Sequence, residues 1–149
     1  MPITPATEDD IWVVSKQLGR PARDIVAIAA RCVCGKPTVV QTAPRLGDGT
    51  PFPTTYYLTH PGATAALSTL EASGLMAQLQ ERLNTDEALA AQYRAAHESY
   101  LADRAELEKA TGEVPEIAGI SAGGMPVRVK CLHALAGLLV LLLKHDSGR

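Results

Sequence analysis

The chain has 149 residues and a formal net charge of −2, with 46% of its residues hydrophobic and 20% charged. This length suits one domain with a single core, and this composition is that of a globular protein rather than a disordered one. Aromatic residues make up only 4% of the chain. The sequence therefore predicts no nucleic-acid partner, which would need a basic surface and stacking aromatic side chains.

The N-terminal half predicts one helix followed by a small sheet. TEDDIWVVSKQLG is typical of a helix, with Thr7 as N-cap, Asp10 three residues later and Gly19 as the stop signal. Three runs rich in β-forming residues follow at 25–34, 38–42 and 54–59. A short GKP turn separates the first two, and a loop dense in proline and glycine at 43–53 precedes the third.

Four helices are predicted after His60-Pro61-Gly62, at 61–74, 75–83, 87–110 and 127–144, with a linker at 111–126. In the longest one, Tyr93, His97, Tyr100 and Arg104 share one stripe, where a histidine is more often packed than a ligand. The predicted fold is a single α+β domain with a three-stranded, mostly antiparallel sheet packed against four to five helices.

The location of the protein is predicted from what the sequence lacks. MPITPATEDD has acids and prolines where a secretory signal would have cations and then an apolar run. The longest apolar run covers 10 residues, 134–143, whereas a membrane span needs about 20. Three cysteines without a secretory signal indicate a reducing compartment and argue against a disulfide framework. We therefore expect a cytoplasmic protein without a membrane span.

The stretch SAGGMPVRVKCLH, residues 121–133, concentrates chemistry. Gly123 and Gly124 allow positive φ and expose backbone N–H groups, and the following proline suits a first helical residue. A helix N-terminus beside Arg128 and Lys130 favours an anion such as a carboxylate or phosphate. An ordinary loop with water-facing cations is the alternative, since the P-loop spacing is absent.

The loop at 43–59 is the predicted opposite wall of this anion site. Arg45 is its one long cation, and Thr54 and Thr55 supply hydroxyl groups. A rigid hairpin connection without a ligand is the alternative. The first functional hypothesis is a binding or accessory protein that holds an anionic, phosphate-type ligand or a protein partner.

Sulfur and imidazole groups suggest a second class of site. Cys32, His60, Cys131 and His133 are of the types that bind zinc. No other cofactor is predicted. In a helix, however, Cys131 and His133 would diverge by about 200°, so they share a metal only if the last helix begins later than residue 127. Otherwise Cys131 is a core residue.

A thiol enzyme is also considered, because a cysteine near a helix N-terminus has a lowered pKa and a histidine can act as its base. The second functional hypothesis is therefore a metal- or thiol-dependent hydrolase or transferase that uses Cys32, Cys131 and His133. A third is a structural partner protein that docks through its apolar C-terminal helix. Whether the protein is an enzyme stays open at this point.

Four phrases of the sequence resemble a small bacterial family catalogued as domain of unknown function number 501: TAPRLGDGTPFPTTYYLTHP, LEASGLM, AAQYRAAHESYLADR and SAGGMPVRVKCLH. The resemblance covers about residues 14–133, and PFPTTYYLTHP and GGMPVRVKCLH are its most specific parts. It implies a cytoplasmic bacterial protein without an established activity. In actinobacteria the family's genes neighbour those for a septum formation initiator, enolase and an exopolyphosphatase, which implies a link to cell division or phosphate metabolism.

Within this resemblance Cys32 matches the family pattern, whereas Cys34 lies where relatives have other residues. His60 lies where some relatives have cysteine, an exchange that a metal or thiol site tolerates. Relatives continue after CLH into a helix with a further histidine, near Leu138 in this chain, and then an Asn-Pro and Gly-Asp tail. This sequence ends instead in LLVLLLKHDSGR.

Overall fold

The computed structural model describes the backbone of residues 3–146 and the side chains of residues 3–139. Along this part of the chain the elements are β1 (Thr4–Pro5), α1 (Glu8–Leu18), β2 (Ile25–Arg31), β3 (Pro37–Thr42), β4 (Tyr56–Leu58), α2 (Pro61–Ala72), α3 (Leu75–Thr85), α4 (Glu87–Thr111), a 3₁₀ turn (Pro115–Ile117) and α5 (Leu132–Asp146). The predicted α+β class is confirmed. Residues 147–149, at the end of the C-terminal tail that differs from the family pattern, lie outside the described residues. Among those described, no helix is both long and apolar enough to cross a membrane.

The sheet is antiparallel with strand order β1-β2-β3-β4, so it has four strands where three were predicted. The additional strand β1 has two residues, Thr4 and Pro5, which pair with Ile28 and Ala27. A strand of two residues shows no alternating pattern, and its proline is tolerated only because β1 is at the edge. The sequence therefore could not indicate it.

Alternation along the strands sends side chains to two separate apolar cores. On one face, Ile28 and Val40 pack with Val14 of α1. On the other face, Val39 and Leu58 pack with residues of α4, α5 and the segment before α5. The sheet is thus covered by α1 on one side and by the other helices on the opposite side.

Helix α1 begins with the capping box that the sequence predicts. Asp10 N–H donates to Thr7 Oγ1 at 3.1 Å, and Thr7 N–H donates to Asp10 Oδ2 at 3.1 Å. Asp10 is buried and also accepts two hydrogen bonds from Arg31 of β2, at 2.7 and 2.9 Å. The hydrogen bonds from Arg31 hold the pKa of the Asp10 carboxyl well below its usual range, although burial opposes them. The pair ties α1 to the sheet.

Helix α4 presents the predicted stripe of Tyr93, His97, Tyr100 and Arg104, which we call the α4 stripe. At its centre the fully buried Tyr100 hydroxyl accepts the N–H groups of Thr55 at 2.7 Å and Tyr56 at 3.2 Å. The Tyr56 ring lies edge-on to the Tyr100 ring, with centroids 5.5 Å apart. One side chain therefore joins the start of β4 to the centre of α4.

The ends of the α4 stripe hold two further loops. Arg104 is 3% exposed and donates to the carbonyl oxygens of Pro53 at 3.1 Å and Ile117 at 2.7 Å. Arg104 is therefore buried although it lies in the charged stretch 103–109. His97 is confirmed as a packed residue, since it is buried and its Nδ1 lies 2.7 Å from the hydroxyl of Ser121.

The segment predicted as a linker, 111–126, is packed rather than free. Val114, Ile117, Ala122 and Met125 are buried. Because the α4 stripe binds its backbone and its apolar side chains face the core, this segment forms one wall of the core and leads the chain into α5.

Candidate functional site

Three potential metal ligands meet where the C-terminal end of α2 faces the start of α5. One donor atom each from Glu71, Cys131 and His133 lies within 4.8 Å of the other two, and all three residues are partly exposed. Glu71 is separated from the other two by about 60 residues of sequence. We call these residues the α2–α5 cluster.

His133 is oriented by α2 through both of its ring nitrogens. Its Nε2 lies 3.1 Å from the carbonyl oxygen of Thr64 and 3.3 Å from the hydroxyl of Ser68, and its Nδ1 lies 3.0 Å from Glu71 Oε1. Because a carbonyl oxygen only accepts, the contact with Thr64 favours a proton on Nε2. The lone pair of a neutral ring then lies on Nδ1, facing a carboxylate. The contact between Nδ1 and Oε1 is satisfied by a proton on Nδ1 or by a metal ion.

Glu71 also caps α5, because its Oε1 accepts the N–H of Leu132 at 2.8 Å. Burial raises the pKa of the Glu71 carboxyl, but the hydrogen bonds from His133 and Leu132 outweigh it, so the net shift is downward. The carboxylate is therefore charged at neutral pH. A helix N-terminus favours an anion, and at α5 the protein's own Glu71 supplies it.

Helix α5 begins at Leu132, five residues later than the predicted start at residue 127, so that prediction is wrong. The reason is that other groups satisfy the backbone of the preceding segment. Gln80 of α3 donates to the carbonyl of Val127 at 2.9 Å and accepts the N–H of Val129 at 2.8 Å. Tyr93 donates its hydroxyl to the carbonyl of Arg128 at 2.6 Å, and burial raises the pKa of Tyr93 to about 12.

The late start changes the geometry of the Cys-x-His pair. Cys131 directly precedes the first helical residue, so the angular divergence expected inside a helix does not apply to it. Its side chain is free of any disulfide and, with that of His133, lines a cavity of about 600 Å³. Cys131 was alternatively predicted as a core residue, but it is only partly buried and faces this cavity.

The cavity is lined mainly by β4 and the start of α2, and Thr54 of the predicted anion site contributes to its wall. Two further lining residues, Gln17 and Thr59, have buried side-chain oxygen atoms without a hydrogen-bond partner among the described residues. Buried polar atoms are normally paired. Both oxygens are shielded from solvent, so they lie behind the cavity surface and not on it.

The remaining residues of the predicted anion site are dispersed over several contacts. Arg45 donates to both carboxylate oxygens of Glu116, at 2.9 and 2.8 Å, and to the carbonyl of Gly49 at 3.0 Å. Thr55 is fully buried next to the α4 stripe. Arg128 and Lys130 are exposed, and neither side chain has an ion-pair partner in the described part of the chain.

The two glycines serve the local fold of the GGMPVRVKCLH segment. Gly123 and Gly124 have φ of 63° and 88°, and their carbonyl oxygens accept the N–H groups of Lys130 at 2.8 Å and Arg128 at 2.9 Å. A side chain at Gly123 would lie 2.8 Å from Leu135, and one at Gly124 would lie 2.9 Å from the carbonyl oxygen of Arg128. The glycines are required because the segment folds back on itself.

The predicted zinc quartet is divided between two places. Cys131 and His133 belong to the α2–α5 cluster, whereas Cys32 is joined to Cys34 by a disulfide at the end of the β2–β3 hairpin. His60 uses its Nδ1 to accept the N–H of Ala63 at 3.0 Å, which caps α2. The sequence argued against a disulfide framework, and the described residues contain this one disulfide.

Glu71 is the member of the α2–α5 cluster that sequence reasoning did not identify. It lies in the phrase LEASGLM, within an ordinary amphipathic helix, and no spacing relates it to Cys131. The available signal was chemical, since a Cys-x-His pair needs at least one further ligand and carboxylates are among those that zinc accepts.

A comparison with protein-family models finds one match, to the family described as "Protein of unknown function (DUF501)", over residues 28–145. No curated protein matches the chain. No solved structure matches it either.

Proposed function

The chain belongs to the DUF501 family of proteins of unknown function. From the residues of its own site, we propose that the protein binds a zinc-type metal ion through Glu71, Cys131 and His133. We propose further that the metal serves hydrolytic or group-transfer chemistry on a substrate in the adjoining cavity. The observation that carries the proposal is the convergence of a carboxylate, a thiol and an imidazole within 4.8 Å.

The chemistry of the donor set supports zinc. Zn²⁺ binds cysteine sulfur, histidine nitrogen and carboxylate oxygen, and catalytic sites use three protein ligands with a fourth position open. The Nδ1 and Oε1 atoms are 3.0 Å apart, close to the separation of about 3.3 Å that bonds of about 2.0 Å impose in a tetrahedron. Only a small opening of the Glu71–His133 pair would admit the ion.

The surroundings of His133 support metal binding at Nδ1. Histidines that bind a metal usually donate their other ring N–H to a carbonyl or carboxylate, which sets the tautomer and the orientation of the ring. The Thr64 carbonyl oxygen lies 3.1 Å from Nε2. The same interaction leaves Nδ1 free to bind the ion in place of a proton.

The cavity supports a catalytic rather than a purely structural metal. A closed structural site has four protein ligands, whereas the α2–α5 cluster has three in the described part of the chain. A bound zinc ion polarises a substrate oxygen or lowers the pKa of a bound water.

Metal binding is tested with full-length, tag-free protein. We expect about one zinc per chain by elemental analysis, and after exchange for Co²⁺ an intense near-ultraviolet band from the thiolate. Cys131→Ser should remove that band, whereas His60→Asn should retain it, because asparagine can still cap α2. Because binding displaces protons from the cluster, the affinity should rise with pH. Sub-stoichiometric metal with no cobalt–thiolate band in the wild type would sink the proposal. The cluster would then only hold α5 against α2.

Catalysis is tested separately with zinc-loaded protein against a panel of chromogenic carboxylic and phosphoric esters. The expected result is turnover that a chelator abolishes and added zinc restores. A protein that binds zinc but hydrolyses no ester in the panel would limit the proposal to metal binding.

A second candidate is the anionic, phosphate-type ligand expected from the sequence, now limited to Arg128 and Lys130. The observation in its favour is that both side chains are exposed and lack an ion-pair partner among the described residues. Thermal shifts with phosphate, pyrophosphate, polyphosphate and nucleotides test it. An equal shift in Arg128→Ala would contradict it. The cytoplasmic location, a protein partner and a link to cell division stay predictions.

A further inference from the structure

A disulfide at the end of the β2–β3 hairpin joins Cys32 and Cys34 on the surface. Cys32 is partly buried, Cys34 is exposed and Val33 between them is fully exposed. The turn is closed by hydrogen bonds independent of the sulfur atoms: Gly35 N–H donates to the Cys32 carbonyl at 2.9 Å, and Cys32 N–H donates to the Lys36 carbonyl at 2.9 Å. The backbone therefore keeps the two sulfur atoms close together whether they are oxidised or reduced.

The disulfide forms part of the wall of a separate cavity of about 450 Å³. Its other lining residues include Trp12, Lys16, Lys36 and His60. Lys16 and Lys36 are exposed cations, and Lys16 Nζ lies 5.3 Å from the centre of the Trp12 ring. An exposed sulfur pair in an electropositive surrounding is typical of reactive rather than structural cysteines.

Local hydrogen bonding distinguishes the two sulfurs. The N–H of Cys34 lies 3.2 Å from Cys32 Sγ and donates to it. A backbone donor stabilises negative charge on sulfur, so Cys32 is the better leaving thiolate. Cys34 is the more exposed of the two and is the sulfur that an incoming thiolate reaches.

We propose that Cys32 and Cys34 form a redox-active pair that exchanges with an anionic low-molecular-weight thiol bound in this cavity. The pair is separate from the α2–α5 cluster and does not depend on metal binding. In a reducing compartment, disulfides are typically transient and catalytic or redox-sensing. A C-x-C disulfide in an exposed turn fits that use better than a role in holding the fold together.

The reaction balances with two equivalents of the thiol. The first thiolate attacks Cys34 Sγ, the bond between Cys34 and Cys32 breaks, and Cys32 leaves as a thiolate. A second thiolate attacks the sulfur of the bound thiol, which releases the small-molecule disulfide and leaves Cys34 as a thiolate. Both protein thiolates take up a proton from solvent. Two electrons pass from the small thiols to the protein, and the reverse reaction oxidises the dithiol.

The charge of the cavity defines the class of thiol. Lys16 and Lys36 attract carboxylates, and the cavity volume is at the lower end of the range for small-molecule sites. Reduced glutathione, which has two carboxylates, and cysteamine, which has an ammonium group, are therefore suitable probes of opposite charge. A preference for glutathione over cysteamine would distinguish reduction by a thiol bound in the cavity from unspecific reduction.

The exchange is measured on the full chain in a Cys131→Ser background, so that the measured thiols are those of Cys32 and Cys34. Native protein is equilibrated with buffers of reduced and oxidised glutathione, alkylated and analysed by intact and peptide mass. We expect reversible interconversion of disulfide and dithiol. With oxidised glutathione, Cys32→Ser should accumulate a mixed disulfide on Cys34, whereas Cys34→Ser should form far less on Cys32.

The double substitution Lys16→Gln and Lys36→Gln tests the binding of an anionic thiol. We expect it to slow reduction by glutathione by roughly tenfold and to leave the rate with cysteamine unchanged or faster. A pair that exchanges only after the protein is unfolded would overturn the proposal. Equal losses with both probes would overturn the anionic class of the thiol.

Discussion

Two groups of polar side chains on the helices of this protein differ in the partners of their hydrogen bonds. The α4 stripe is directed at the backbone of two loops, where Tyr100 accepts two N–H groups and Arg104 donates to two carbonyl oxygens. In the α2–α5 cluster, Glu71 and His133 face each other beside a cavity, and Cys131 lies next to them.

This difference separates a structural role from a binding role. A buried side chain that satisfies loop backbone is part of the fold, because removing it leaves a buried donor or acceptor unpaired. A carboxylate and an imidazole lone pair that face each other need a proton or a metal ion between them, and the neighbouring thiol is a third type of metal ligand. The α4 stripe should therefore govern stability, and the α2–α5 cluster should govern what the protein binds.

The largest expected effect is at the centre of the α4 stripe. Tyr100→Phe removes the acceptor of the Thr55 and Tyr56 N–H groups while keeping the ring, so the free energy of unfolding should fall by about 3 kcal/mol. Denaturant unfolding measures it, and zinc affinity serves as the control and should not change. A loss below about 1 kcal/mol would mean that water replaces the hydroxyl.

The next largest effect is expected at Asp10. Like the residues of the α4 stripe, Asp10 is a buried polar side chain, but its partner, Arg31, is charged. Asp10→Asn should lower the free energy of unfolding by about 2–3 kcal/mol at neutral pH, because it removes the carboxylate charge that pairs with the Arg31 guanidinium. Since the folded pKa of Asp10 is lowered, its contribution is present above the unfolded pKa near 4 and is lost as the pH falls through the folded value. The difference in stability between wild type and variant should therefore begin to shrink below about pH 4 and vanish only below the folded pKa. A pH-independent difference would contradict the ion pair.

A substitution in the α2–α5 cluster should show the opposite pattern. Glu71→Gln replaces a charged ligand by a weakly binding amide, so zinc affinity should fall about tenfold or more. The free energy of unfolding without metal should change by about 1 kcal/mol, because an amide oxygen can still accept the N–H of Leu132. Competition with a chromophoric chelator measures the affinity. If stability falls as much as in Tyr100→Phe while zinc binding is retained, the two groups do not differ as proposed.

The smallest effect is expected at Arg45, on the surface. Its ion pair with Glu116 is exposed on both sides, so Arg45→Ala should change the free energy of unfolding very little, and less still at high salt. Thermal unfolding at two salt concentrations measures it. The same variant should leave any phosphate-induced shift unchanged, because the guanidinium already binds Glu116. If Arg45→Ala abolished the phosphate-induced thermal shift, Arg45 would belong to an anion site.

Local signals predicted much of the secondary structure. The capping box of Thr7 and Asp10 and the β-forming runs that match β2, β3 and β4 depend on residues a few positions apart, and all are present in the structure. A helix cap or an alternating strand is recognisable because its cause lies within the same short segment.

The sequence by itself determined the α+β class, the helix caps and the presence of ligand-type residues in the GGMPVRVKCLH segment. The tertiary structure decided where α5 begins, because Gln80 and Tyr93 satisfy the preceding backbone. It also decided that Glu71, 61 residues before Leu132, completes a cluster with Cys131 and His133. Backbone pairing and ligand convergence depend on distances in space, and residues so far apart in the chain come together only when the helices pack.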